Sequence, residues 1–315
     1  MADQPHPTAQ AVIDLAADAP VPPTSGLSVE SARDRLDRLF ATQTAESVAT
    51  VEDYSITGPD SRDGPLPVRV YEPEAESPYP VLCYFHGGGF VVGGLDTHDT
   101  VCAALTNRAD CLTISVDYRL APEHPFPAGL EDCYAALEWA ARFAPAVNGD
   151  PDRLAIAGDS AGGSLAAGLA LLARDLEGPA LCYQGLIYPG TAPPPLFEFD
   201  SYVENAAGYL LEMDSVEWYY DRYLQSDVHR RNEYAWPLLA DDLSDLPPAT
   251  VLTAGFDPIR DEGIAYAEAL ADDGVDVTHR HYDDMIHGFL NLTDAIPASE
   301  TALDELGTDL QAAFG

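Results

Sequence analysis

A serine near the middle of the chain stands in a setting that suits a nucleophile. Ser160 is the centre of Gly158-Asp159-Ser160-Ala161-Gly162, so a glycine lies two positions to each side of it. The apolar run 153–157 before this segment predicts a buried strand, and the run 163–172, rich in small residues and leucine, predicts a helix. A serine on the sharp turn between them would project its hydroxyl, and larger flanking residues would collide with the strand and the helix. Taken alone, the five residues also fit an ordinary tight turn with an inert serine.

A glycine-rich loop upstream could stabilise the oxyanion that forms in acyl transfer. The apolar run 79–85 predicts a buried strand that leads directly into His86-Gly87-Gly88-Gly89-Phe90. Consecutive glycines let backbone N–H groups approach a reacting oxygen closely. A phosphate-binding loop fits poorly, because the chain has no G-x-x-x-x-G-K-[ST] pattern and no Lys. His86 precedes the serine, whereas the base is expected to follow it, so we interpret His86 as an anchor of the loop.

A carboxylate that could orient a catalytic base follows a late predicted strand. Residues 249–255 read as this strand, and Asp257-Pro258 comes directly after it. Asp257 at the end of the strand suits the acid of a triad, although it could instead cap the helix that follows. Asp261 is the nearest competitor, but with Glu262 it suits the first turn of that helix better.

Four histidines follow Ser160 and could serve as the base. His279 and His281 alternate within one predicted strand and share a face of it, and we expect this strand to be an outer one. His229 lies in a polar stretch flanked by arginines. His287 comes in the predicted loop 284–289, beyond the end of a strand, where an imidazole can reach over the serine. We therefore assign His287 as the base.

The alternation of strand and helix patterns from about Val51 onward predicts an α/β fold. It consists of an eight-stranded, mostly parallel sheet flanked by helices, with the first two strands antiparallel. The order Ser160, Asp257, His287 is that of the α/β-hydrolases and differs from the chymotrypsin and subtilisin orders. Predicted strands lie near 51–57, 67–71, 80–85, 111–117, 153–158, 182–188, 249–255 and 276–282, and predicted helices near 97–108, 128–143, 161–176, 261–272 and 297–314.

With these residues identified, the chain resembles the hormone-sensitive lipase family of carboxylesterases, in its bacterial and archaeal family IV branch. Where that family often has Trp after the glycines, this chain has Phe90, a difference that we expect to be tolerated. The similarity spans residues 80–290 and consists of His86-Gly87-Gly88-Gly89-Phe90, Asp117-Tyr118-Arg119-Leu120-Ala121-Pro122-Glu123, Gly158-Asp159-Ser160-Ala161-Gly162-Gly163, Asp257-Pro258 with Asp261-Glu262-Gly263, and His287-Gly288-Phe289.

The resemblance implies a serine carboxylesterase for esters with short to medium acyl chains, working without a metal or other cofactor. It implies that Gly88, Gly89 and Ala161 supply the oxyanion N–H groups; the share of Ala161 also follows from the fold, where the residue after the nucleophile donates. Segment 118–123 has no chemical role evident from its residues. We interpret it as a turn and ion-pair element that supports the oxyanion loop.

Two other functions remain compatible with the same residues. An amidase or lactonase would keep the site and change the bond that is cleaved. A non-catalytic binding protein would hold a ligand in the pocket after losing its base, which the presence of His287 disfavours.

The charge composition predicts adaptation to high salt. The chain has 53 acidic residues against 15 basic ones, all of them Arg, and a net charge of −38. Such a chain repels itself in dilute salt, whereas at molar ionic strength the Debye length falls to roughly 3 Å. An acidic tail or a binder of basic partners would be the alternatives, but the acids do not form blocks. The same charge disfavours nucleic-acid binding.

The cysteines and the N-terminal residues favour a cytoplasmic protein. Cys83, Cys102, Cys111, Cys133 and Cys182 form no C-x-x-C pair, and their odd number favours reduced, buried thiols. The first residues show neither the apolar region of a secretory signal nor twin arginines, and no apolar run approaches 18 residues. The partner expected is a small-molecule ester, with neither nucleic acid nor membrane; the chain could be a monomer or a homodimer.

Two segments do not fit the alternation and are expected to form a helical cap. Residues 1–45 and 191–236 would cover the strand ends of a catalytic domain made of 46–190 and 237–315. Helical stretches are predicted at 13–17, 29–40 and 203–223. Most aromatic residues of the second segment are expected to pack between cap and core, while one or two line the acyl pocket; they are Phe197, Phe199, Tyr202, Tyr209, Trp218, Tyr219, Tyr220 and Tyr223.

Overall fold

Eight strands form one sheet in the computed structural model, which describes residues 2–18, 22–40, 43–194 and 196–315. The sheet order is β1-β2-β4-β3-β5-β6-β7-β8. β2 runs antiparallel to both neighbours, and the remaining pairs are parallel, as predicted for an α/β-hydrolase sheet. The strands are β1 (Thr50–Ile56), β2 (Leu66–Glu72), β3 (Tyr79–Phe85), β4 (Leu112–Val116), β5 (Gly149–Asp159), β6 (Tyr183–Ile187), β7 (Ala249–Phe256) and β8 (Val277–Ile286).

Helices cover both faces of this sheet. Buried side chains of α4, α5 and α8 belong to one apolar cluster, and those of α3 and α9 belong to the other. α1, α2, α6 and α7 come from the two segments outside the strand and helix alternation. The helices are α1 (Pro7–Asp18), α2 (Val29–Phe40), α3 (Asp99–Ala109), α4 (Ala128–Phe143), α5 (Ala161–Asp175), α6 (Ser201–Glu204), α7 (Met213–Tyr223), α8 (Arg260–Asp272) and α9 (Ala298–Phe314).

The sequence of each strand reflects its place in the sheet. Interior strands such as β4 and β6 are buried along their whole length, and they read as continuous apolar runs because helices cover both faces. The edge strand β1 is mostly exposed and accordingly polar. β8, at the other edge, alternates between exposed and half-buried residues, and it carries His279 and His281 on one face, as predicted.

Several predicted boundaries differ from the structure. β5 begins at Gly149, four residues before its predicted start. The single helix expected over 203–223 is two helices, α6 and α7, because the chain turns between them and Gly208 adopts a φ of 92°. β8 continues to Ile286, four residues beyond its predicted end, since Ile286 still pairs with Phe256 of β7. Asp283 and Asp284 suggested a loop there, but an edge strand tolerates charged residues.

The described residues contain no helix with the length and apolarity that a bilayer span would require.

Four of the cysteines are buried and Cys182 is half-buried, and all five are free thiols. Some positions of the predicted cap ranges 1–45 and 191–236 (1, 19–21, 41–42 and 195) lie outside the described residues.

Candidate active site

Ser160 lies on a strained turn between β5 and α5. Its φ is 55° and its ψ is −121°, a backbone conformation that a non-glycine residue rarely adopts. A Cβ on Gly162 would overlap the backbone carbonyl of Phe85, and one on Gly158 would overlap the backbone of Gly162. The predicted need for glycine on both sides of the serine is therefore confirmed.

Three side chains that are far apart in sequence meet at this turn. The Oγ atom of Ser160 lies 2.9 Å from Nε2 of His287, and Nδ1 of His287 lies 2.7 Å from Oδ2 of Asp257. Asp257 is fully buried and His287 is 8% exposed. Both distances are within hydrogen-bonding range, so the hydroxyl, the imidazole and the carboxylate form one connected chain.

The Asp257 carboxylate serves two partners at once. Oδ2 faces the imidazole, while Oδ1 accepts a hydrogen bond of 2.9 Å from the N–H of Ile259. The cap role considered for Asp257 and its role beside His287 are thus filled by different oxygens. Asn205 supports the same loop by donating to the carbonyls of Gly255 (3.1 Å) and Asp257 (3.0 Å). Asp261 lies on α8 and pairs with Arg260 instead.

The other histidines lie elsewhere. His279 and His281 both contact the hydroxyl of Thr253 on the outer part of β7 and β8. His229 packs edge-on against Phe126, with ring centroids 5.3 Å apart. None of the three lines the described cavities beside Ser160.

His86 has the contacts of a loop anchor. Its ring stacks on Tyr118 at 4.2 Å, and its Nδ1 lies 2.7 Å from the carbonyl oxygen of Gly87. Burial, together with the nearby His98, lowers the pKa of His86 to about 3. Tyr118 also donates a hydrogen bond of 2.7 Å to the His86 carbonyl. The ring is therefore neutral and fixed at physiological pH.

Segment 118–123 packs on the glycine loop and carries ion pairs, as expected. The N–H of Ala121 donates to the carbonyl of Phe90 (2.9 Å). Arg119 pairs with the buried Asp132, and Glu123 accepts two hydrogen bonds from Arg33 of α2. The segment thereby ties the loop both to α4 and to the N-terminal helices.

The glycine loop presents free backbone N–H groups beside Ser160. Gly88 has a φ of 120° and Gly89 a φ of 58°. A Cβ on Gly88 would overlap the carbonyl of Val92, and a Cβ on Gly89 would overlap the ring of Tyr219. Within the described ranges, the N–H groups of Gly88 and Gly89 have no hydrogen-bond acceptor. Both glycines line the cavity that also contains Ser160.

A buried aspartate next to the serine was missed as a functional residue by the sequence reasoning. Asp159 accepts hydrogen bonds from Tyr84 (2.8 Å), the N–H of Gly87 (3.0 Å) and Asn291 (2.9 Å), and it lies 3.1 Å from His98. Burial alone would raise its pKa, but His98 and these hydrogen bonds hold the pKa well below its usual range. Asp159 therefore links the turn of Ser160 to the glycine loop as an anion.

A second buried carboxylate, Glu262 of α8, was also assigned no role from the sequence. Its Oε2 accepts the N–H groups of Thr191 (2.8 Å) and Ala192 (2.9 Å), and its Oε1 accepts the hydroxyl of Tyr202 (2.8 Å). Burial raises the pKa of Glu262 to about 8, in spite of these hydrogen bonds. Asp159 and Glu262 both stand inside motifs that were recognised, and that position was the only signal of their importance.

Two cavities meet at Ser160. An inner cavity of about 30 Å³ lies toward Ala161, Ser164 and Tyr220, and an outer cavity of about 170 Å³ lies toward His287, Gly288 and α2. Gly89, Leu211 and Tyr219 border both. Tyr219 and Tyr220 are thus the members of the predicted aromatic set that reach these cavities, within the part of the chain that is described.

Comparisons with known proteins identify the family to which this chain is similar. Residues 82–291 match the model of a family described as having the alpha/beta hydrolase fold. The chain is 42% identical to carboxylesterase NlhH of Mycobacterium tuberculosis, over 90% of this chain and 89% of the relative. It is 37% identical to an ethyl acetate hydrolase of Pseudomonas putida, over 89% of each.

A solved structure gives the same result. An alpha/beta hydrolase enzyme from the metagenome of Lake Arreo superposes with a TM-score of 0.94 at 38% identity. The match covers 100% of both chains.

Proposed function

The chain belongs to the α/β-hydrolases, in the branch of carboxylic ester hydrolases similar to hormone-sensitive lipase, and from this premise we propose that Ser160, His287 and Asp257 are its catalytic triad. The observation that carries the proposal is the pair of contacts at His287, 2.9 Å to the hydroxyl and 2.7 Å to the carboxylate. A nucleophile, a base and an orienting group in this arrangement are what acyl transfer through a covalent intermediate requires.

Each group has a defined task in the proposed reaction. Ser160 attacks the ester carbonyl while Nε2 of His287 takes its proton, and Asp257 fixes the tautomer and stabilises the imidazolium. The N–H groups of Gly88, Gly89 and Ala161 stabilise the oxyanion. His287 then protonates the departing alcohol and activates the water that cleaves the acyl-enzyme.

Replacement of the serine tests this proposal. Ser160→Ala should abolish hydrolysis of a 4-nitrophenyl ester and leave the circular dichroism spectrum unchanged. Ser55→Ala, on the exposed edge strand β1, is the matched control and should retain full activity. An organophosphate ester should label wild-type protein at Ser160, as read by peptide mass spectrometry. Labelling at another residue would refute the assignment.

The two cavities support short to medium acyl chains as substrates. The leaving oxygen must lie near His287, which borders the outer cavity, so the acyl group points to the inner cavity. The inner cavity has only about 30 Å³ of free space. A relative named as an ethyl acetate hydrolase agrees with a small acyl group. A rate series over 4-nitrophenyl esters of increasing acyl length tests this preference.

We also propose that the segments 1–45 and 191–236 act together as a cap on the catalytic domain. The proposal is supported by the outer cavity, whose walls come from Thr24 and Leu36 of the first segment and from Leu211 and Tyr219 of the second. Tyr219 is a contact between the two, since it also lies near Thr24.

The net charge of −38 supports a further proposal, that the enzyme works in a salt-rich cytoplasm. Several arginines are surrounded by carboxylates: Arg69 pairs with Asp53, Asp96 and Asp99. The acids left over repel one another until salt screens them. The thermal midpoint and the activity should both rise over a KCl series from dilute to molar concentration. An enzyme with equal stability and activity after removal of salt would contradict this proposal.

A further inference from the structure

The recess that leads from Ser160 to the N-terminal helices differs in charge from the rest of the molecule. Acidic residues make up 53 of 315 positions, yet among the described residues that line the outer cavity Asp159 is the one carboxylate. A groove of about 400 Å³ continues from this cavity between α1 and α2, and its described lining has no carboxylate. Arg35 borders both spaces and Arg38 borders the groove. A positively charged recess is therefore set into a strongly negative protein.

Neither Arg35 nor Arg38 is paired with a carboxylate of the described residues. Ten of the fifteen arginines form salt bridges, in several cases with more than one carboxylate. Within the described part of the chain, no salt bridge involves Arg35 or Arg38. Arg35 is half-buried, and its guanidinium donates one hydrogen bond of 3.1 Å to the carbonyl of Pro22.

The helical period of α2 keeps its own acids away from the recess. Arg35, Arg38 and Leu39 lie three and four residues apart and share the face that borders the recess. Glu30 and Asp37 fall on other faces of the same helix. Asp34 lies four residues before Arg38 and shares its face, but among the described residues it neither lines the recess nor forms a salt bridge with Arg38. The nearest carboxylate inside the cavity, Asp159, already holds four partners of its own.

The position of Arg35 relative to the reacting atoms indicates which part of a substrate it would meet. His287 must protonate the leaving oxygen, so the alcohol part of the ester extends into the outer cavity that Arg35 borders. Arg35 also acts on Tyr219, at the boundary between the cavities: burial raises the pKa of Tyr219, and the charge of Arg35 opposes that rise.

We propose that the enzyme selects esters whose alcohol part carries a carboxylate, and that Arg35 binds this carboxylate while Arg38 adds a weaker attraction farther out. This inference rests on the proposed ester hydrolysis, and it adds the substrate class. A guanidinium suits the task because its planar N–H groups can hold a carboxylate with two hydrogen bonds. It also offsets locally the repulsion that a net charge of −38 exerts on any anion.

A pair of substrates of equal shape tests the proposal. The acetate ester of 3-hydroxybenzoic acid carries a carboxylate at the position where the acetate ester of 3-hydroxybenzamide carries a neutral amide. We expect Arg35→Gln to lower kcat/KM for the carboxylate ester about three- to tenfold, mainly through KM, as a partly exposed ion pair would. The kcat/KM for the amide ester should change less than about twofold. Arg35→Lys should keep part of the preference, because it keeps the charge but loses the planar pair of N–H groups.

Two further variants separate binding from bulk charge. Arg142→Gln removes the same charge at an exposed position of α4, far along the chain from the recess, and should leave the ratio of the two esters unchanged. Arg38→Gln should lower the ratio of kcat/KM for the carboxylate ester to kcat/KM for the amide ester, as Arg35→Gln does, but to a smaller extent.

Equal ratios in wild type, Arg35→Gln and Arg142→Gln would overturn the inference and leave the esterase proposal intact. Loss of hydrolysis is read separately: if wild type cleaves neither ester faster than Ser160→Ala does, it is the esterase proposal that fails.

Discussion

The loops at the end of the sheet and the helical segments above them are built by different forces. Around Ser160 the functional groups are held by hydrogen bonds, many of them to backbone: both oxygens of Asp257 are occupied, and Asp159 has four partners. The segments above contribute mainly ring and aliphatic contacts, such as the stack of Phe90 on Tyr223 at 3.8 Å. Hydrogen bonds fix positions to fractions of an ångström, whereas apolar contacts fix shape and tolerate rearrangement. We therefore expect the chemistry to depend on the first region and the choice of substrate on the second.

Several contacts join the two regions, and two of them can be changed separately. One is the close approach of Gly89 to the ring of Tyr219, at the boundary of the cavities that Ser160 lines. The other is Glu262 of α8, which binds the start of the second segment at Thr191 and Ala192 and its helix α6 at Tyr202. Variants at these two contacts and within each region test whether chemistry and choice of substrate depend on different regions.

The largest effect is expected from Asp257→Asn. The amide can still accept the N–H of Ile259, so the fold should survive, but it no longer holds the imidazole in the required tautomer. We expect kcat to fall by about 10⁴-fold with little change in KM. The control is Asp261→Asn, the neighbouring carboxylate on α8, which should lose less than about tenfold because it lies outside the triad. Similar losses in both variants would show that the wrong acid has been assigned.

Alanine substitutions at Gly88 and Gly89 should both lower activity, but for different structural reasons. At Gly88 the new Cβ meets backbone of Val92, so Gly88→Ala should lower kcat about 10²- to 10³-fold, as loss of an oxyanion donor does. At Gly89 the three atoms nearest to the new Cβ all belong to the side chain of Tyr219, although the φ of 58° adds some strain for alanine. Tyr219→Ala should therefore restore part of the activity of Gly89→Ala and none of that of Gly88→Ala. Kinetics of the double variants provide the measurement.

Tyr219→Ala by itself should change specificity more than catalysis. Removing the ring joins the inner and outer cavities, so the preference should shift toward longer acyl chains, by about tenfold in the ratio of hexanoate to acetate ester. Phe199→Ala is the matched control, because Phe199 packs on Phe197 and Tyr202 rather than on the described cavities. An unchanged chain-length profile in Tyr219→Ala would mean that the acyl group lies elsewhere.

The smallest effect is expected on stability, at Glu262. Its pKa is about 8 in the folded protein against 4.5 in the unfolded chain, so the folded state binds more protons between these values. The stability that the protonated group provides is complete below pH 4.5 and is lost as the pH rises toward 8, by at most about 1.4 kcal/mol per pH unit.

Glu262→Gln imitates the protonated form and should remove this dependence. The variant should match wild type in urea unfolding near pH 5 and exceed it near pH 8. Glu217→Gln, at an exposed carboxylate of α7, is the control and should follow wild type at both pH values. A wild type whose stability rises over the same interval would show that Glu262 is ionised in the folded protein.

Patterns within the sequence predicted the sheet and the three candidate residues at the carboxyl ends of its strands, because each of these features depends on residues that are close together along the chain. Interior strands read as apolar runs, and the turn of Ser160 needed glycines on both sides. Asp257 directly followed a predicted strand, and His287 came a few residues beyond another. The length of β8 was underestimated, since the pairing of Ile286 with Phe256 is invisible in the sequence of either strand. The single helix over 203–223 was wrong for a related reason, because a turn at Gly208 interrupts a pattern that otherwise continues.

The sequence by itself determined the order of the candidate catalytic residues along the chain, with a serine on a turn and an acid and a base after later strands. It also determined the acidic composition. Those features depend on residue type and on neighbours along the chain. Only the tertiary structure decided that Tyr219 and Tyr220, of eight candidate aromatics, reach the described cavities, that Glu262 and Asp159 bind the loops together, and that Arg35 borders the outer cavity. These contacts join segments that are tens to hundreds of residues apart, and which side chains meet depends on how the segments pack in space.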